Sequence, residues 1–190
     1  RMSRGLGDVY KRQIQFFVTN SLEHKKTQER LYKLCYIDML TGLFNRNRYM
    51  EDLSGWEKGT LREIGGIYMD LNGLKHCNDR FGHEAGDALI RRTADALNEV
   101  FPGEGYRIGG DEFAVIAAAT DEDAVKAAVE TLRRLCAEWD AKEEYPVSIA
   151  VGYAMQAGRT MTADELFMEA DAAMYRNKAE IKKAVGGISR

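Results

Sequence analysis

Along this chain the apolar residues alternate between a helical period and short continuous runs, and the order of the two patterns outlines a fold. Tyr49, Leu53 and Trp56 recur at helical spacing and predict a helix over residues 45–56. Residues 64–71 form an apolar run of strand length that ends on Asp70 and Leu71. Ile90, Ala94, Leu97 and Phe101 return to three- and four-residue steps, which predicts a helix over 87–101. Two strands are then expected, a short one over 104–108 and an apolar one with β-branched residues over 113–119. Gly109 and Gly110 between them fit a two-residue hairpin turn, in which φ is positive and a Cβ would clash. Val125, Val129, Leu132, Cys136 and Trp139 make the clearest apolar stripe, a helix over 121–139 with its other face charged. A further strand is expected over 147–153 and a last helix over 162–183, where Thr162 can cap and Asp164 and Glu165 suit the dipole. The order β-α-β-β-α-β predicts an α+β fold: a ferredoxin-like antiparallel sheet with helices packed on one face.

Ahead of this body the pattern is weaker. Residues 1–13 show no sustained helix or strand period and begin on Arg1, which suggests a tag, a scar or a fragment edge. Residues 14–18 are a short apolar run, readable as the last strand of a missing sensor domain or as part of a longer signalling helix. Leu31, Leu34 and Cys35 fit one face of a helix, either a stalk pairing with a second copy or a helix packed on its own domain. Residues 14–37 are therefore expected to be a linker or signalling helix, and residues 38–190 the functional domain.

Composition narrows the classes of function. With 190 residues, 45% hydrophobic and 30% charged, the chain suits one globular core with a short appendage. A net charge of −3 gives no general attraction to nucleic acid or an acidic membrane, so an anionic ligand has to be held locally. Cys35, Cys77 and Cys136 lack zinc spacing, and free thiols in a reducing cytoplasm are the simplest expectation. No apolar run approaches the roughly 20 residues that span a bilayer.

The chemistry concentrates at strand ends. In the expected topology Asp70 and Asp111 lie at neighbouring central strands, where two carboxylates can hold Mg²⁺, an ion that keeps several waters and needs one or two protein carboxylates plus substrate phosphates. The acids of a hairpin tip can equally face water. Asn72, Lys75, Asn78, Gly82, His83, Gly86 and Asp87 form a polar, glycine-punctuated segment before a helix, whose N-terminus offers free N–H groups to anions. Asn78 and Asp87 suit the N1–H and N2–H₂ edge of guanine, and on spacing alone serve as well as a turn residue and an N-cap.

Five blocks decide between these readings. Residues 38–46 (DMLTGLFNR), 70–79 (DLNGLKHCND) with 81–87 (FGHEAGD), 107–113 (RIGGDEF), 147–152 (VSIAVG) and 170–178 (ADAAMYRNK) resemble, in order, the GGDEF family of diguanylate cyclases. The resemblance covers about residues 38–183. It implies a palm-like domain related to nucleotidyl cyclases that condenses two GTP into cyclic di-GMP as a homodimer, with one GTP per protomer and Mg²⁺ or Mn²⁺ as cofactor. By that likeness Asp70 and Asp111 bind metal through carboxylates and Leu71 through its carbonyl, Asp111 aids deprotonation and Glu112 supports it. Asn78 and Asp87 read guanine. Lys178, Lys75, Lys182 and the backbone near Gly73 and Leu74 hold phosphate. In-line phosphoryl displacement rests on positioning and charge neutralisation, for which metal and lysine suffice.

Departures from the family pattern carry their own expectations. Asn72 stands where many members have a second Asp, leaving the site one charge less negative. Lys182 replaces a frequent Arg, keeping the charge without the bidentate grip. Residues 100–103 (Val-Phe-Pro-Gly) stand where the family places the Arg-x-x-Asp of its product-inhibition site, so no feedback through that site is expected. A relative that makes a mixed guanine/adenine product has Ser at the position of Asp87, so guanine on both sides is favoured here. An upstream sensory domain is expected to be missing, with no nucleic-acid or membrane partner for this fragment. Two other classes remain: a GTP-binding regulatory module with little turnover, and a structural interaction domain without nucleotide.

Overall fold

The computed structural model describes residues 3–57, 64–118, 121–140, 148–156, 158 and 161–188. It divides into two compact units, residues 1–35 and 36–190. The first is helical: α1 spans Ser3–Tyr36, and Leu22, Leu31, Tyr32 and Leu34 on it are exposed. Residues 3–13, expected to carry no element, are thus helix. Residues 14–18 are helical as well, which overturns the strand alternative. No helix among the described residues is long and apolar enough to cross a membrane.

In the second unit a five-stranded sheet has the order β1-β3-β4-β2-β5: β1 (Phe44–Asn45), β2 (Ile64–Asn72), β3 (Gly105–Arg107), β4 (Glu112–Ala118) and β5 (Ser148–Met155). The central strands β2 and β4 are antiparallel neighbours with Asp70 opposite Glu112, and β5 lies antiparallel on the other side of β2. The pair β1 and β3 is parallel, so the sheet is mixed rather than wholly antiparallel. Two-residue β1 left no periodic signal of its own.

Helices cover both faces of the sheet, not one. Ile67, Met69 and Leu71 of β2, with Phe113 and Val115 of β4, face a core closed by α4 (His83–Val100) and α5 (Glu122–Asp140). Residues of opposite parity, Ile64, Ala114 and Ile116, face α2 (Arg46–Glu57) and α6 (Ala163–Ile188) through Tyr49, Trp56, Leu166 and Phe167. A strand buried on both faces reads as a continuous apolar run, which is how residues 64–71 look.

Local chemistry sets the helix ends. Asp121 Oδ1 accepts the Ala124 N–H at 2.7 Å, capping α5. Thr162 and Glu165 form a reciprocal capping box at α6, with N–H to side-chain distances of 3.2 and 2.8 Å. On the edge strand β5, Val151 N–H donates to Asn177 Oδ1 at 3.0 Å and Arg133 donates to the Val151 carbonyl at 3.2 Å, so side chains occupy backbone groups there. At Gly152 the α6 backbone comes so close that a Cβ would overlap Met174 N and Ala170 O. That close approach brings the C-terminal half of α6 over the end of β2.

Candidate active site

Asp70 lies near the C-terminal end of β2, its side chain on the face covered by α6 and 8% of the residue exposed. On the neighbouring strand, the loop before β4 is tied to it by a backbone hydrogen bond from Leu71 N–H to the Asp111 carbonyl at 2.8 Å. Asp70, Leu71, Asn72, Gly73, Leu74, Lys75, Asp111, Ser148, Lys178, Ile181 and Lys182 line one cavity of about 600 Å³. The expected carboxylates and all the expected phosphate-holding positions therefore share one space, contributed by β2 and the residues that follow it, the β3–β4 loop, β5 and α6.

Within the cavity, Lys178 Nζ donates to Asp70 Oδ1 at 2.7 Å, with the two side chains 26% and 11% exposed. Asn72 Nδ2 donates to Ser148 Oγ at 3.2 Å. Gly73 has φ 77° and opens α3 (Leu74–Phe81) with no side-chain cap, which leaves the N-terminal N–H groups of that helix toward the lining formed by Gly73, Leu74 and Lys75. An uncapped helix start beside three lysines is suited to a polyphosphate. Ser148 and Ile181 are lining residues that sequence reasoning did not single out; their only signal is position, one at a strand start and one a helical step beyond Lys178.

The signature loop differs from the expected tight hairpin. Neither Gly109 nor Gly110 has positive φ. The turn is longer than two residues, since β3 ends at Arg107 and β4 starts at Glu112, and both Ile108 N–H and Gly109 N–H donate to the Glu112 carbonyl at 3.0 and 3.2 Å. Gly109 leaves room for the Glu112 side chain: a Cβ there would overlap Glu112 Oε2 unless that carboxylate moved. The Glu112 carboxylate thus folds against the loop, and Glu112 is not among the residues that line the cavity.

Arg107 braces this loop. Its guanidinium bonds Asp38 Oδ1 and Oδ2 at 3.2 and 3.3 Å and donates to the Gly110 carbonyl at 2.8 Å. Asp38 Oδ1 also accepts from Thr41 N–H and Oγ1 at 2.9 and 2.7 Å. Burial by itself raises the Asp38 carboxyl, but the Thr41 hydrogen bonds and the Arg107 charge outweigh it and hold the pKa below its ordinary value. Tyr68, on the Asp70 face of β2, is pushed up to about 12 by burial and by the Glu112 and Asp171 carboxylates, so it stays neutral.

The expected guanine-reading pair lies outside the cavity lining, on two helices rather than on a loop. Residues 74–81 form α3 because glycines of positive φ at 73 and 82 bracket a segment whose Leu74, Cys77 and Phe81 pack on the core. Asn78 is inside α3, not in a turn, and Asp87 is in the first turns of α4 rather than at its cap, which is Gly82. Asn78 Oδ1 is buried without a hydrogen-bond partner, against Gly86, where a Cβ would overlap it. An orphaned acceptor of that kind is costly and suits a site completed by a ligand donor. Asp87 makes only a loose 4.0 Å pair with Arg91.

The donor set fits a magnesium-type ion. Asp70 and Asp111 supply hard oxygens, and among the described residues no cluster of three or more His, Cys, Asp or Glu could hold a metal alone. Such a set needs substrate phosphates to complete the coordination. The cysteines are free, and burial pushes Cys136 up to about 12. Residues 100–103, at the end of α4 and the turn beyond it, contain no charged side chain.

Comparison with known proteins agrees with this reading of the fold. The profile described as "Diguanylate cyclase, GGDEF domain" matches residues 35–184. The cyclic di-GMP phosphodiesterase PdeR of Escherichia coli K12 is 34% identical over 167 residues, covering 84% of this chain and 25% of the relative. Diguanylate cyclase DgcS of Shewanella oneidensis is 32% identical over 150 residues, covering 75% of this chain and 49% of the relative. The chain thus spans between a quarter and a half of the length of these two relatives. In structure, the coiled coil and GGDEF domain of DgcB from Caulobacter crescentus, solved with c-di-GMP, superposes with a TM-score of 0.77 at 23% identity, covering 90% of this chain and 95% of that one. At that identity the likeness is one of fold, the palm-like nucleotidyl cyclase architecture.

Proposed function

The chain belongs to the GGDEF family of diguanylate cyclase domains, and on that premise we propose that it condenses two GTP into cyclic di-GMP with release of two pyrophosphates. The observation that carries the proposal is the single cavity in which Asp70 and Asp111 meet Lys75, Lys178, Lys182 and the uncapped start of α3. Lysines and free N–H groups bind a triphosphate, and the adjoining carboxylates mark where the α-phosphate reacts.

Asp70 and Asp111, with the Leu71 carbonyl, would hold Mg²⁺ or Mn²⁺, which when bound supplies charge neutralisation on the phosphates. Lys178, Lys75 and Lys182 hold the β- and γ-phosphates, as point charges that place the leaving group. Asp111 accepts the proton of the 3′-hydroxyl as that oxygen attacks the α-phosphorus of the second GTP and the bond to the β-phosphate breaks. Glu112 buttresses the loop that carries Asp111, and Arg107 positions it from behind. Asn78 and Asp87 recognise guanine, the buried Asn78 Oδ1 accepting from the base edge that would satisfy it.

One cavity holds one GTP, so the product, made from two, requires a second copy facing the first. The homodimer is therefore the catalytic unit, and α1 is placed in sequence to carry an upstream signal to it. Incubation with GTP and Mg²⁺ should yield pyrophosphate and cyclic dinucleotide in a two-to-one ratio, with specific activity rising with protein concentration. Binding of GTP without either product would make the chain a regulatory GTP-binding module instead.

A further inference from the structure

The ion pair between Lys178 and Asp70 engages one of the two oxygens through which that carboxylate can hold a metal. Lys178 Nζ donates to Asp70 Oδ1 at 2.7 Å, in a shielded position with the side chains 26% and 11% exposed. A magnesium-type ion binds carboxylate oxygen at about 2.0–2.1 Å. An ammonium and a dication on the same carboxylate would therefore crowd two positive charges together where little water screens them. Lys178 in this position opposes a metal at Asp70.

The cavity offers a destination only when a triphosphate is present. Lys178 shares the lining with Lys75 and with Lys182, one helical turn further along α6. Without phosphates that wall is a group of like charges, and Asp70 is the carboxylate to which the Lys178 ammonium is bonded. With them, the ammonium has several oxygens to take. The metal alone is in a weak position as well, because among the described residues no cluster of three or more acidic or imidazole ligands could hold it.

We propose that Lys178 is the resident counter-ion of Asp70, competing with a metal for that carboxylate until a nucleoside triphosphate takes the ammonium, so that divalent-metal and triphosphate binding are tightly coupled. This rests on the assignment of Asp70 and Asp111 as metal ligands. In the empty site Lys178 keeps a shielded carboxylate neutralised, and on loading it moves to the phosphates.

The test is a titration with Mn²⁺ alone, following the electron paramagnetic resonance of the free ion, on the wild type, Lys178→Met and Lys178→Gln. The variants should bind Mn²⁺ more tightly than the wild type, by about tenfold for Lys178→Met, within the roughly 5- to 150-fold range of coupled sites. Adding 3′-deoxy-GTP, which cannot condense, should tighten Mn²⁺ in both, because its phosphates complete the coordination, and by a larger factor in the wild type than in Lys178→Met. Without metal, thermal unfolding of Lys178→Met should fall below that of the wild type, because Asp70 loses its partner, and Mn²⁺ should raise it by more. If both Lys178 variants bind Mn²⁺ alone no more tightly than the wild type while Asp70→Asn abolishes binding, the counter-ion proposal fails and the metal assignment stands. If Asp70→Asn leaves Mn²⁺ binding unchanged, the metal assignment is wrong and the proposal falls with it.

Discussion

Replacing Arg107 by alanine removes an ion pair in which Nη1 bridges both Asp38 oxygens and a hydrogen bond from Nη2 to the Gly110 carbonyl in one step. The two charged side chains are 14% and 23% exposed, between a surface pair and a buried one. Exposed pairs contribute up to about 1 kcal/mol, whereas breaking a buried one costs about 3–5 kcal/mol, so the ion pair stands near 2 kcal/mol. The bond to the Gly110 carbonyl is exposed to water and adds about 1 kcal/mol, for a total of roughly 3 kcal/mol. At about 2–4 °C per kcal/mol for a domain of this size, Tm should fall by about 6–12 °C at pH 7. The pH dependence has a definite sign. The folded-state pKa of Asp38 lies below its ordinary value, so its stabilisation is full above the unfolded pKa of about 3.9 and is lost as the pH falls through the folded value. The Arg107→Ala penalty, measured by urea unfolding, should therefore shrink toward about 1 kcal/mol as the pH drops below about 4. A double-mutant cycle with Asp38→Asn should show coupling of about 2 kcal/mol at pH 7. An unchanged Tm, or a penalty of the same size at both pH values, would refute the reasoning.

Further substitutions probe other parts of the account. Gly152→Ala drives a Cβ into the α6 backbone, which cannot yield as a flexible side chain can, and should destabilise the domain by more than about 3 kcal/mol in chemical denaturation. Gly86→Ala pushes on Asn78 Oδ1, so it should raise KM for GTP more than it lowers kcat, an effect absent when Asn78 is already alanine. With no charged side chain in residues 100–103, initial rates should be insensitive to added cyclic di-GMP except where it competes with GTP; inhibition that high GTP cannot overcome, and that mutation near Gly103 removes, would contradict this.

What the sequence disclosed, and what it concealed, follows from the range of the forces involved. The α5 stripe and the strand ending on Asp70 were legible because their periodicity is local. The second covered face of the sheet was present in the unbroken apolar run of 64–71, although helices were expected on one face only. Helix α3 was hidden by its polar residues, since only Leu74, Cys77 and Phe81 anchor it and flanking glycines mimic a loop. The cavity residues Asp70, Asp111, Lys75 and Lys178 emerged from motif blocks in order, and the structure places them together. Partnerships across long separations left no local trace: Arg107 with Asp38 over 69 positions, and Lys178 with Asp70 over 108. Glu112 illustrates the same limit, because a signature acid was expected at the reaction centre and its carboxylate lies against the Gly109 turn.

Two carboxylates facing a lysine-lined cavity are proposed to make this domain a GTP-condensing enzyme. The most direct measurement compares the wild type with Asp111→Ala in Mg²⁺ and GTP, quantifying cyclic di-GMP and pyrophosphate in the same reaction. The wild type should give both products and the variant about a hundred- to a thousandfold less, the scale on which removing a key electrostatic group acts, with its fold retained. Undiminished cyclic di-GMP from Asp111→Ala would contradict the proposal.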